Sequence, residues 1–323
     1  MRSISVVIPA YNASVFLSDA IKSLRFQTRL PNELIIIDDG STDNTLEIAQ
    51  NCIAEIHEFS VRVILKENSG VSHSRNVGIQ EAQGDLVALL DADDYLESEH
   101  LELLENGFNY GENIQLVFGS SMYYDETLAN KIRPLATRTK SLECSENKIG
   151  VYNILNSEKL FQALFPASFI AQSAIMFRKT ENLTLFDTRF SQGEDWLFLL
   201  YMARSGSAIY VDRDVAKIRR HKANATNADT PENNMRMLEG LFAIKKYLHK
   251  QSDLNLNEQN LSILNKSINK FSAEYNYHAS LLGLINYLTR LSSNNPIIKS
   301  SSVKDIAKSI ARAFVYSLKR TNR

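Results

Sequence analysis

Short apolar runs alternate with amphipathic stretches over the first ninety or so residues, and several of the runs end in polar clusters. Ile4 to Ile8 is β-branched and bounded by Pro9, and Leu34 to Ile37, Val61 to Leu65 and Leu86 to Leu90 follow the same theme. Leu86 to Leu90 lacks the alternation of a half-wetted strand, so it reads as a strand buried on both faces. Between the runs, apolar positions recur at helical spacing: Leu17, Ala20, Ile21 and Leu24, then Leu46, Ala49 and Ile53, then a segment from about Val71 to Ala82 stopped near Gly84. This alternation predicts right-handed crossovers and a mostly parallel sheet flanked by helices, an α/β fold. Further on, Glu99 to Phe108 and Leu197 to Ala203 predict helices, while Leu116 to Gly119, Ser173 to Phe177 and Ile209 to Val211 predict strands. Residues 125–150 are polar and irregular and read as a loop-rich insert. After Pro231 the strand signal ceases: Met235 to Leu248, Leu261 to Tyr287 and Val303 to Leu318 read as helices. The expected division is an α/β domain over 1–230 and an all-helical region over 231–323.

Composition narrows this picture. The 323 residues are 44% hydrophobic and 23% charged, as in a soluble globular protein of one large or two modest domains. A net charge of −1 supplies no global field toward nucleic acid, so attraction to anions must be local. Two cysteines, Cys52 and Cys144, make neither a disulfide framework nor a metal-binding pattern, which favours a reducing compartment. The N-terminus opens on a strand with no signal-peptide layout, and no apolar stretch approaches the roughly 20 residues of a membrane span. Together these features predict a cytoplasmic chain.

The chemistry gathers at strand ends. Leu90 is followed by Asp91-Ala92-Asp93-Asp94, three carboxylates within four residues, and Ile37 by Asp38-Asp39-Gly40-Ser41. Tyr11 follows the first strand. In parallel sheets ligands bind beyond the carboxyl ends of the strands, so groups from three strands are expected to converge there. Asp91 and Asp93 can meet on one hard cation such as Mg²⁺ or Mn²⁺ bridging to phosphates. Alternatively, the Asp-x-Asp is a polar turn capping the next helix. Glu194 and Asp195 open a helix, where acids are favourable with the dipole in any case. No Gly-x-Gly-x-x-Gly follows the first strand, which argues against a dinucleotide site.

Four ordered motifs carry a resemblance: Val6-Val7-Ile8-Pro9-Ala10-Tyr11-Asn12, Ile37-Asp38-Asp39-Gly40-Ser41-Thr42-Asp43, Gly70-Val71-Ser72-His73-Ser74-Arg75-Asn76, and Leu90-Asp91-Ala92-Asp93-Asp94. Over about residues 1–225 the chain resembles the family 2 glycosyltransferases, the inverting group that builds bacterial surface polysaccharides. The resemblance implies a GT-A fold, a nucleotide-diphosphate sugar donor with uracil as its base, a glycan or lipid-linked acceptor, and a divalent metal, Mn²⁺ or Mg²⁺. It implies that Pro9 and Tyr11 lie at the nucleotide, with the Tyr11 ring on uracil, and that Asp39 accepts from the imide N–H. Arg75 is implied near base or phosphates, Asp91 by ribose and metal, and Asp93 as the principal metal ligand. Glu194-Asp195 matches the family's acidic pair, Glu194 on the donor side and Asp195 as catalytic base. His221, in Arg219-Arg220-His221, matches a position that touches metal or diphosphate. The Gln-x-x-Arg-Trp motif of processive members is absent, which argues for addition of a single sugar.

Each of these residues also has an ordinary structural reading. Tyr11 covers the end of a sheet, Asp39 caps a helix, Arg75 is a surface cation and His221 a packed imidazole. Asp94 is open between a site role and a cap for a helix after Tyr95. Two rival functions stand beside glycosyl transfer. A sugar nucleotidyltransferase needs a glycine-rich basic loop after the first strand, and Ala10-Tyr11-Asn12-Ala13 is neither. A non-catalytic nucleotide-sugar-binding protein has no need of both Asp93 and Asp195. In the tail, Val303, Ile306, Ala307, Ile310, Ala311, Phe314, Val315 and Leu318 form an apolar stripe beside Lys304, Lys308, Arg312, Lys319, Arg320 and Arg323. Such a helix suits the headgroup region of an anionic membrane, as a peripheral contact, or packing against neighbouring helices or a second subunit.

Overall fold

The computed structural model describes residues 1–134, 136–221, 224, 230–251, 254–282, 284–293, 295–299 and 301–321. The chain divides into two compact units, Met1–His221 and Lys222–Arg323.

The first unit opens with β1 (Ile4–Ala10), α1 (Leu17–Arg25), β2 (Glu33–Asp38), α2 (Thr45–Glu55), β3 (Ser60–Leu65), α3 (Val71–Glu81) and β4 (Leu86–Leu89). It continues with β5 (Tyr95–Leu96), α4 (His100–Gly107), β6 (Ile114–Tyr124), β7 (Lys131–Pro134), α5 (Thr137–Glu143), β8 (Ser145–Ile149) and β9 (Tyr152–Leu155). The unit ends with α6 (Ser157–Leu164), β10 (Ile175–Arg178), α7 (Glu194–Ser205) and β11 (Ser207–Arg219). All eleven described strands join one sheet in the order β3-β2-β1-β4-β10-β6-β11-β9-β8, with β5 paired to β11 and β7 to β6. The neighbours β3, β2, β1 and β4 are parallel, as the strand–helix alternation requires. From β10 onward the sheet is mixed: β10 is antiparallel to both β4 and β6, while β6 and β11 run parallel.

The parallel half is buried because its side chains are apolar on both faces. Ile4, Val6, Val7, Ile8, Leu34 to Ile37 and Leu86 to Leu90 are all removed from solvent. On one face Leu17, Ala20, Ile21 and Leu24 of α1 close the core, as their spacing predicts. On α2 the expected inner face of Leu46, Ala49 and Ile53 is rotated. Thr45, Ala49 and Cys52 are buried with Ile48 against the core, and Ile53 is exposed. On the other face α3 lies directly on β1: a Cβ at Gly78 would stand 2.2 Å from Val7 Cγ1. A side chain there would push the helix, and Arg75 with it, off the sheet.

Residues 125–150 are not the loop-rich insert their polarity suggests. They form β7, α5 and β8, of which β7 pairs with β6 and β8 with β9. Both are edge or near-edge strands with a solvated face, so their polar composition does not prevent pairing. The predicted strand at 173–177 begins two residues later, after a 3₁₀ turn over Gln172–Ala174.

The second unit holds α8 (Pro231–Leu248), α9 (Glu258–Leu281), α10 (Leu284–Ser292), α11 (Pro296–Lys299) and α12 (Val303–Thr321). α8 starts cleanly because the Thr230 hydroxyl accepts from the Asn233 N–H at 3.2 Å and Pro231 needs no partner there. Asn257 and Asn260 cap α9 reciprocally. The single helix expected over 261–287 is two, divided after Leu281. α9 packs against α8, α10, α11 and α12, and Met235, Phe242, Tyr275, Tyr287 and Ala313 share its core. The apolar stripe of α12 is split by this packing. Ile306, Ile310 and Ala313 face the core, whereas Val303 is 84% exposed and Ala307, Ala311 and Val315 are exposed beside Lys304, Lys308 and Arg312. The side chains of Phe314, Leu318, Lys319 and Arg320, and all of Arg323, lie outside the described residues.

Candidate active site

The loops after β1 and β2 form one side of the site, and they are stitched together through side chains. Asn12 adopts φ 47° and its Oδ1 accepts from the Thr42 N–H at 2.8 Å. The Asn12 N–H donates to Ser41 Oγ and the Ala13 N–H to Thr45 Oγ1. Gly40 is held at φ 70°, and a Cβ on it would stand 3.0 Å from the backbone nitrogen of Asn68, so only glycine lets the loop after β2 touch the loop after β3. Pro9 lies inside β1 opposite Ile37, and Tyr11, just beyond it, is 51% exposed, leaving its ring free to stack on a planar ligand. Asp38 accepts from the Ser41 N–H and hydroxyl. Asp39 is buried: its Oδ1 accepts from the Ser69 N–H at 2.9 Å and from Lys66, and its Oδ2 from the Gly70 N–H at 2.8 Å. Asp39 therefore anchors the loop ahead of α3, and Oδ2 keeps one lone pair for another donor.

The other side of the site is acidic and centred on Arg75, a buried cation and not a surface one. Its guanidinium donates to Asp91 Oδ1 at 2.8 Å and to Glu194 Oε1 at 3.3 Å, and it lies 5.2 Å from the Phe186 ring centroid. Burial works against its charge, but Asp91 and Glu194 outweigh burial and hold it protonated. The neighbouring Asn76 fixes the Phe186 backbone with two bonds of 2.8 Å, donating to its C=O and accepting its N–H. Glu194 and Asp195 begin α7, following Gly193 at φ 78°. Burial, then the adjacent Asp195, pushes Glu194 up to about 7 against the pull of Arg75. Burial likewise raises Asp195, whose Oδ1 accepts from the Trp196 N–H at 2.7 Å.

A ring of buried bonds shapes the Asp91–Asp94 turn. The Asp91 N–H donates to Ser173 Oγ (3.0 Å), which donates to Asp94 Oδ2 (2.6 Å), and Asp94 Oδ1 accepts from the Arg219 N–H (3.0 Å). The Arg219 guanidinium returns to the Asp93 C=O at 2.8 Å and to Asp19 on α1 at 3.0 Å. Asp94 thus caps no helix: Tyr95 enters the short strand β5, and the carboxylate ties its own turn to the 3₁₀ turn ahead of β10 and to β11. Burial, then Asp93 and Asp91, holds Asp94 well above the usual carboxylate range. Ser173 and Arg219 have no motif of their own. The nearest signal in the sequence is Asp94 itself, a third adjacent acid that needs buried donors from elsewhere.

Arg219 also delivers His221. The His221 Nε2 lies 2.9 Å from Asp93 Oδ2, with its ring 4.4 Å from that of Phe16. Burial and the neighbouring Asp91 raise Asp93, only partly offset by His221. The three groups expected at a metal are therefore not gathered into one set: Asp93 meets His221, but Asp91 is held by Arg75. Among the described residues no three His, Cys, Asp or Glu side chains form a metal-holding group. The donor pair of Asp93 and His221, with phosphate oxygens and water completing the shell, still fits a Mn²⁺ or Mg²⁺ ion.

Comparison with known proteins identifies the family and the fold. The glycosyl transferase family 2 profile matches residues 5–183. An uncharacterized glycosyltransferase of Rickettsia conorii is 29% identical over 219 residues, 67% of this chain and 32% of its own length. Glycosyltransferase GlyG of Streptococcus pneumoniae is 34% identical over 39% of this chain and 42% of its own length. The chain thus spans about a third to a half of these curated relatives. Crystal structures of S. aureus TarS 1-349 superpose over 99% of this chain and 92% of theirs. The complex with UDP has a TM-score of 0.54 at 16% identity, and the complex with UDP-GlcNAc 0.55 at 15%. The fold is of the GT-A kind, with a helical region after it. With the family profile covering more than half its length, the chain belongs to glycosyltransferase family 2.

Proposed function

We propose that this chain moves one sugar from a UDP-linked donor, with inversion, to a hydroxyl of a glycan or lipid-linked acceptor during cell-surface polysaccharide synthesis. The observation that carries the reading is the Arg75 clamp, which ties Asp91 at the end of β4 to Glu194 at the head of α7, 119 residues beyond Arg75. Tyr11 and Asp39 belong to the loops after β1 and β2 in the same sheet. UDP and UDP-GlcNAc in the TarS crystals support the choice of donor, and a relative named chondroitin synthase supports the polysaccharide context.

In this reading Tyr11 stacks on uracil, and the spare lone pair of Asp39 accepts the imide N–H. Arg75 sets Asp91 and Glu194 in place beside the donor. Asp195 takes the proton of the attacking hydroxyl; a carboxylate raised by burial is a better base than an ordinary one. A divalent cation held by Asp93 and His221 would neutralise the diphosphate as the leaving group departs. The remaining acceleration comes from holding donor and acceptor in line.

The test is UDP release from a panel of UDP-sugars, with and without glycan acceptors. Asp195→Asn should cut transfer by roughly 10²-fold or more while donor binding survives. Near-normal transfer by this variant would move the base elsewhere.

The expected location is cytoplasmic, with peripheral attachment through α12. No described helix is long and apolar enough to cross a membrane. The exposed ridge of Val303, Ala307, Ala311 and Val315, flanked by Lys304, Lys308 and Arg312, supports attachment to anionic lipid. The intact chain should sediment with anionic vesicles at low salt and lose this when Lys304, Lys308 and Arg312 become Gln. Indifference of the intact chain to such vesicles would leave the ridge as a protein contact.

A further inference from the structure

Beside the acid ring sits a buried amide, that of Gln172. Gln172 opens the 3₁₀ turn Gln172–Ala174, is 5% exposed, and has no hydrogen-bond partner at either Oε1 or Nε2 among the described residues. Ser121 on β6 is 2% exposed, and its Oγ is likewise without a partner. The 3₁₀ turn that carries Gln172 packs on β6, the strand that carries Ser121, next to the β10–β6 ladder that starts at Ile175 and Phe118. The next residue after Gln172 is Ser173, whose hydroxyl holds both the Asp91 N–H and Asp94. An unbonded amide in a protein interior is costly and rare, and a binding site is where such groups wait for a ligand.

We infer that Gln172, assisted by Ser121, reads the sugar: its amide hydrogen-bonds a hydroxyl or N-acyl group on a pyranose ring entering the site. A primary amide offers two donors and an acceptor, so it can pair a hydroxyl in either sense or bridge two vicinal ones. Sites built to bond a particular hydroxyl discriminate sharply against sugars that lack it or carry it in the other orientation. The inference rests on the glycosyl-transfer reading and deepens it by naming a residue for sugar selection.

The experiment compares the full chain with Gln172→Leu, Gln172→Met and Ser121→Ala. Without ligand, the Gln172 variants should melt at the same temperature as the parent or higher, since an unbonded amide is replaced by an apolar group of similar size. A clear fall in Tm for both Leu and Met would mean that the amide is bonded inside the fold, and would overturn the inference. The ligand probes are UDP, UDP-glucose, UDP-galactose and UDP-GlcNAc. The thermal shift from UDP alone should be unchanged in the variants. KM should rise about tenfold for the sugar that Gln172 contacts, the loss of one or two neutral hydrogen bonds. A rise in donor KM with relaxed choice among the three UDP-sugars assigns the contact to the donor ring, and a rise in acceptor KM alone assigns it to the acceptor ring. Unchanged KM values for both, with unchanged selectivity, overturn it. A parent chain that binds neither UDP nor any UDP-sugar would instead refute the donor reading itself, before any variant is compared.

Discussion

The two sides of the site treat their acids in opposite ways. Beyond β1 and β2, carboxylates are taken up by neighbouring donors: Asp38 by Ser41, and Asp39 by the Ser69 and Gly70 amides and Lys66. For Asp43 burial acts against the charge, but bonds from Thr45 and Ser14 prevail and pull it down to about 2. Between β4 and α7 the acids are buried beside one another. Asp93, Asp94, Glu194 and Asp195 are all raised, first by burial and then in part by other acids. The first side is a bonded frame, with Asp38 Oδ2 the exception among the described residues, and it suits the proposed role of holding a base and its loop in place. The second gathers acids whose charge a cation or a proton relieves, which suits the proposed chemistry at a diphosphate.

The largest expected effect sets one side against the other. Asp93→Ala should lower turnover by roughly 10²-fold or more and abolish the rise in Tm given by Mn²⁺, with the Tm of the chelated protein little changed. Asp39→Ala should do the reverse. Losing a carboxylate that accepts two backbone N–H bonds should cost about 1–3 kcal/mol of stability and weaken UDP binding about tenfold. Initial rates, thermal unfolding and UDP titration read all four quantities. If Asp39→Ala left both stability and UDP affinity intact, the frame would lie elsewhere.

The frame was legible in the sequence because its signals are local. β1, β2 and β4 are short apolar runs followed by polar clusters, so Tyr11, Asp39 and Asp91 fall at one end of the sheet by chain order alone. Gly40 likewise marks the turn between Asp39 and Ser41. The acid side was legible only in part. Glu194 and Asp195 announce themselves, but their tie to Arg75 spans the fold. Ser173 and Arg219 act on Asp94 across 79 and 125 residues, a relation that periodicity cannot reveal. Gln172 is visible only once its side chain is known to be buried. β7 and β8 were hidden for a different reason: strands at a sheet's margin bury little, and polar residues pair there as readily as apolar ones. On α2 a pattern of three apolar positions placed the inner face wrongly, because Thr45 and Cys52 bury themselves while Ile53 does not.

The smallest expected effect is a difference in pH dependence, and it separates the two sides by sign. Glu194 has a folded pKa of about 7 against an ordinary value of 4.5. Between those values the folded state holds a proton that the unfolded state has already released. Stability from this group is therefore fully present below about pH 4.5 and is lost as pH rises through about 7. Asp43 runs the other way, with a folded pKa of about 2 against 3.8. Its contribution is present above about pH 3.8 and is lost as pH falls through 2, and because it lies near the surface its share is small. Thermal unfolding in chelator from pH 3 to 8 should show a falling Tm for the parent chain between about pH 5 and 7.5. Glu194→Gln should flatten that fall without removing it, since Asp93, Asp94 and Asp195 are raised in the same direction. Asp43→Asn should leave this window untouched and alter only the acid limb below about pH 4. An unchanged slope above pH 5 in Glu194→Gln would mean that Arg75 fully compensates the buried glutamate, and the contrast between a bonded frame and a crowded acid cluster would then rest on the Asp91–Asp94 turn alone.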